Sequence, residues 1–185
     1  SDAERVKKES KDLLDTTKRL ADRLKELLER LNKETRDRVR EVIKEIERLV
    51  DEVEKEARKG LDEETKKRVI DKIRKTLEDI KRKLDKLLEE HKTENDRIKK
   101  EADELLKEHR DRLEELRRKL DERNLREDIR TDLEDVLRRN KEALEEIRKD
   151  IERVNRKDRE ELREIARTLE KVLRDARRRL EELRR

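Results

Sequence analysis

His91 and His109 are the only imidazoles in the chain, and each stands in a run of spaced leucines and isoleucines where an apolar residue belongs. Imidazole can serve as a base, a nucleophile's partner or a metal ligand, so its neighbours decide which chemistry is open. Thr35, His91 and Asp158 supply a hydroxyl, an imidazole and a carboxylate, the composition of an acyl-transfer triad. Thr17, His109 and Asn140 supply a hydroxyl, an imidazole and an amide, and Ser10 and Asn95 add two more polar groups in the same stripes. Acyl transfer also needs a substrate cleft and oxyanion donors beside the nucleophile, and the interior of a helix has no free amides to offer. Catalytic zinc takes three protein ligands, whereas each set here has one imidazole and at most one carboxylate. Neither catalysis nor a metal or other cofactor is therefore expected, and the eight residues are read as a buried polar network.

The elements that carry these residues are long helices. Over residues 69–120 the apolar positions run Val69, Ile73, Leu77, Ile80, Leu84, then Leu87, His91, Asn95, Ile98, Ala102, then Leu105, His109, Leu113, Leu116, Leu120. Each position recurs after 18 residues, which is five whole turns at ~3.6 residues per turn, so the stripe stays on one face of a straight helix. The same period runs from Val6 to Ala57 and from Ile129 to Leu183.

Two breaks separate the stripes. Lys59-Gly60-Leu61-Asp62 holds the only glycine, suited to a left-handed helix closure, followed by Asp62 as N-cap. Asn124-Leu125 repeats that arrangement with asparagine at the left-handed position. Ser1 with Glu4 fits a capping box at the start. The expected architecture is all-α: a single bundle over 1–185 of three long, straight helices at about 2–59, 62–123 and 126–185. Short loops make the order up, down, up, in a rod of ~90 Å. Six half-length helices would reverse near Asn32 and within 91–95 and 155–158, but no Gly or Pro stands there and the stripe keeps its phase.

Folding three helices at these loops brings His109 opposite Asn140 and His91 opposite Asp158, with Thr17 and Thr35 near the same heights. The two levels lie 18 residues apart on every helix, or ~27 Å. An unpaired buried polar group costs ~1–3 kcal/mol, so such groups gather where they satisfy one another and then resist slippage of one helix along the next. A histidine buried opposite an aspartate is also a candidate pH switch; acid is expected to loosen the middle of the rod rather than unfold it.

Composition narrows the partners. Charged residues make up 62% of the chain and aromatics 0%, which suits long helices with solvated faces and a core of Leu, Ile, Val and Ala. The 59 basic and 55 acidic residues are interleaved at three and four residues rather than gathered into a basic block, so no nucleic acid is expected despite a pI near 9.1. The absence of Cys excludes disulfides and thiolate chemistry and leaves the redox compartment open. No targeting segment and no apolar run of about 18 residues is present, so an expressed chain is expected to stay soluble in the cytoplasm.

The 18-residue period in all three stripes, the aligned Thr/His/Asn and Thr/His/Asp levels, the near-equal helices and the Glu/Lys/Arg surface resemble computationally designed, parametric helical bundles with buried hydrogen-bond networks. The resemblance implies a very stable artificial scaffold without a natural substrate; no membrane partner is expected, and a monomer is expected over a homo-oligomer. Asn124 departs from it, since an idealised loop would carry Gly. The alternative is a helical interaction module or spacer that self-associates, or binds acidic lipid, through extra apolar positions such as Leu14, Leu20, Leu27 and Ile43; these positions are otherwise expected to face the third helix.

Overall fold

A computed structural model describes residues 2–185, so the Ser1 half of the capping box with Glu4 lies outside the described residues. The chain forms three α-helices, α1 (Asp2–Arg58), α2 (Glu63–Asp121) and α3 (Glu127–Arg184), with no strand among the described residues. Residues 32, 91–95 and 155–158 are helical, so the six-helix reading fails. Leu, Glu, Lys and Arg keep most of their rotamer freedom in a helix, and nothing at those midpoints breaks the backbone ladder. Glu63 and Glu64 of α2 and Glu127 and Asp128 of α3 place acids in the first turn, where the helix dipole favours them.

The first reversal follows its residues. Gly60 takes φ 97° and Asp62 Oδ1 accepts the Thr65 amide at 2.7 Å. Hydrogen bonding from Thr65 holds the Asp62 carboxyl below its ordinary range. A methyl group at Gly60 would meet nothing within 4 Å, so space is free and only the left-handed backbone resists substitution. Gly60→Ala is expected to cost about 1–2 kcal/mol and Gly60→Asn less, read from denaturant midpoints.

The second reversal corrects the expectation for Asn124. No non-glycine residue among those described has a positive φ. The Leu125 amide instead donates to the Arg123 carbonyl at 3.0 Å, a three-residue turn centred on Asn124. Arg130 Nη2 also donates to the Arg123 carbonyl at 3.0 Å and pairs with Asp121 at 3.4 Å. The Arg123 carbonyl thus accepts twice, from the Leu125 amide within the turn and from a guanidinium reaching back from α3.

The helices contribute to two compact units, Ser1–Glu29 with Glu94–Lys157, and Arg30–Thr93 with Asp158–Arg185. In the first, Ala21, Ala102, Leu106, Leu113, Leu133 and Leu144 belong to the buried core. In the second, Val39, Ile46, Ile70, Leu77, Leu173 and Leu180 do. Pairs between helices fix direction within each unit. In the first, Asp2 meets Arg123 and Thr17 meets His109, so α1 and α2 are antiparallel. Ser10 meets Asn140 at a separation of 130 residues and Lys25 meets Asp150 at 125, so α1 and α3 are parallel. In the second unit Asn32 with Glu161 and Asp51 with Arg179 keep nearly that offset, at 129 and 128.

Two details of the apolar faces differ from the sequence reading. The stripe named Val69 and Leu105, but Ile70 (0% exposed) and Leu106 (3%) are the deeper residues. A helix with two neighbours has a wide apolar sector, and the position aimed between both neighbours is buried most. Leu20 and Leu27 do not face α3; they are 38% and 41% exposed. The side of α1 toward α3 is marked by Lys25 and Asn32, which reach Asp150 and Glu161, and Leu20 and Leu27 lie on the opposite flank.

Candidate functional site

Each unit holds one histidine-centred layer built from all three helices. In the second unit α2 presents His91, α1 presents Thr35 and α3 presents Asp158, all buried. His91 Nδ1 lies 2.7 Å from Thr35 Oγ1, and His91 Nε2 lies 3.1 and 3.3 Å from the two Asp158 oxygens. An ionised carboxylate only accepts, so Nε2 carries the proton toward Asp158; in the neutral ring Nδ1 then accepts from the Thr35 hydroxyl.

In the first unit the layer is Ser10, Thr17, His109 and Asn140, again all buried. Asn140 Nδ2 donates to the Ser10 carbonyl and contacts Ser10 Oγ, both at 2.7 Å. A backbone carbonyl can only accept, so this contact fixes which end of the amide faces His109. Asn140 Oδ1 therefore accepts from His109 Nε2 at 2.7 Å, and His109 Nδ1 accepts from Thr17 Oγ1 at 2.8 Å. Burial pushes the His109 pKa below its ordinary 6.5, and the bond to Asn140 opposes that only partly.

Further polar side chains lie near these layers. Asn95 and Asn155 are buried in the first unit. Among the described residues Asn155 Oδ1 has no hydrogen-bond partner, nor do Asn32 Oδ1 and Arg36 Nε in the second unit. Asn32 spends its Nδ2 on Glu161. Sequence reasoning assigned no role to Asn155, although it shares the polar interruption at 155–158 with Asp158; its apolar-stripe spacing was the available signal.

The triad composition of Thr35, His91 and Asp158 comes together, but the Thr35 hydroxyl is enclosed, with the residue only 3% exposed. No group of three His, Cys, Asp or Glu side chains among the described residues is placed to hold a metal ion. No described helix is long and apolar enough to cross a membrane. The arrangement can hold three helices at one height and store a neutral imidazole away from water.

No protein-family model matches the sequence. No curated protein matches it. Among solved structures the chain is similar to a "Computationally designed three helix bundle" at 18% identity, with 98% of this chain and 93% of that chain covered and a TM-score of 0.44.

Proposed function

We propose that the chain is a designed structural scaffold without a natural biochemical task, in which the two buried histidine layers set helix register. The observation that carries this reading is the Thr17–His109–Asn140–Ser10 layer, where each side chain finds its complement on another helix. Moving any helix by one turn would place these groups among Leu113, Leu106, Leu137 and Leu144, with their bonds unmade. The same residues serve stability poorly, since leucines of similar volume would bury more apolar area. They make sense as devices for selecting one alignment. Enclosure of Thr35, His91 and Asp158 leaves a substrate carbonyl no approach, which favours the scaffold over an enzyme.

The test replaces both layers with apolar residues: Ser10→Ala, Thr17→Val, His109→Leu and Asn140→Leu, with Thr35→Val, His91→Leu and Asp158→Leu. Stability to denaturant is expected to stay equal or rise. Methyl NMR spectra are expected to split into more than one set of resonances as alternative alignments become populated. A single sharp set with the parent's interhelical contacts would overturn the register role.

A further inference from the structure

We propose that the outer flank of α1 in the first unit is a self-pairing face, on which a second copy of the chain docks antiparallel, α1 against α1, about a two-fold axis at Thr16. The inference is independent of the scaffold reading and departs from the expectation of a monomer. Leu20 and Leu27, at 38% and 41%, are the exposed large hydrophobic residues among those described, and both lie on this flank. With their neighbours they form the series Glu9, Leu13, Thr16, Leu20, Arg23, Leu27, whose steps alternate between four and three residues. Over its five steps from Glu9 to Leu27 the series averages 3.6 residues, so these side chains stay on one face of a straight helix, as the internal core positions do.

Charge selects the occupant and its direction. Glu9 and Asp12 precede Thr16, while Arg19 and Arg23 follow it. None of these four makes an ion pair with another described residue. Exposed arginines elsewhere, such as Arg48, Arg97 and Arg138, are each held between carboxylates three and four residues away on their own helix. An antiparallel second copy centred on Thr16 sets Glu9 level with Arg23 and brings Asp12 near Arg19 and Leu13 near Leu20, each one residue off level, and then repeats each contact by symmetry. A parallel copy would set acid on acid and arginine on arginine.

The face is also shaped to receive a side chain. Leu13 and Thr16 line a groove of about 320 Å³ with Leu116 of α2, whose rim carries Glu9 and Asp12 on one side and Arg112, Glu115 and Lys119 on the other. One helical face covers less than the ~800 Å² per partner of a standard interface, so the pairing is weak and weakens further as salt screens its charges.

Sedimentation equilibrium from micromolar to millimolar protein tests it. At low salt the mass is expected to climb from 22.8 kDa toward twice that value, and to fall back when salt is added. Arg23→Glu and Glu9→Arg are each expected to weaken dimerisation at least tenfold, and the double swap to restore it. All three should keep the parent's circular dichroism melt, because both side chains are exposed. Thr16→Cys places a thiol on the axis, so with oxidised glutathione it should cross-link to its own mate at least tenfold faster than Lys141→Cys on α3. A mass of 22.8 kDa at every concentration, a double swap that restores nothing, or equal cross-linking at both sites would overturn the proposal.

Discussion

Asn140→Leu is expected to lower the free energy of unfolding by about 2–3 kcal/mol, although it adds apolar volume to a core. Three contacts end with the amide: from His109 Nε2, to the Ser10 carbonyl and to Ser10 Oγ. His109 is 1% exposed, so its N–H would be left without water or a protein acceptor. Desolvation of that donor, which the native layer offsets, then counts in full. Thr17→Val is expected to cost less, since the imidazole Nδ1 loses one neutral donor. Urea unfolding of the two variants checks the order. A loss below about 0.5 kcal/mol for Asn140→Leu would mean that water replaces the amide at this level.

Acid is expected to weaken the first unit before the carboxylates titrate. His109 is held with a lowered pKa by burial, so the unfolded chain binds a proton more readily than the folded one. The stability that the neutral ring contributes is present above its ordinary 6.5 and is lost as the pH falls from there through the folded-state pKa. Among the described residues no charged group is bonded to the ring: Thr17 comes from α1, Asn140 from α3, and Ser10 stands behind the amide. Protonation of Nδ1 would turn the acceptor of the Thr17 hydroxyl into a second donor with no counter-charge nearby. Carboxylates with lowered pKa, such as Asp62 beside Thr65 and Asp150 beside Lys25, contribute above their ordinary 3.8 and lose that only at lower pH, so the two windows separate. Amide protection factors near Leu106 and Leu113, corrected for the intrinsic slowing of exchange in acid, should therefore fall as the pH drops below about 6.5, and Thr17→Val/His109→Leu/Asn140→Leu should remove the change. Unaltered protection in the parent over that window would contradict this account.

The sequence points to His91 for acid sensitivity, because it faces an aspartate. At His109, where an amide stands in that position, burial lowers the pKa. Much of the arrangement was legible because helices convert spacing into geometry. A stripe that keeps its phase through residue 91 excludes a reversal there, and one glycine beside a capping aspartate marks the first turn. Once both reversals are placed, which residues share a height follows from chain length, and the Thr, His and Asn or Asp positions can be matched.

What could not be read depends on rotation and on reach. Ile70 rather than Val69 is buried deepest because two neighbours, not one, set the inward direction. Leu20 and Leu27 are exposed because α3 lies on the other flank of α1, and a stripe's width does not tell which side the third helix takes. Asn124 keeps an ordinary φ in a three-residue turn that the Leu125 amide closes, and Arg130 bonds the same carbonyl from α3, a contact that spacing alone does not show.

The Ser10 carbonyl admits only one orientation of Asn140, so donors and acceptors along that layer run one way, from the Thr17 hydroxyl to the far side of α1. One ring proton, on His109 Nε2, is thereby shut between two helices. Its replacement by deuterium from solvent would time how often the first unit breathes open, with no label added.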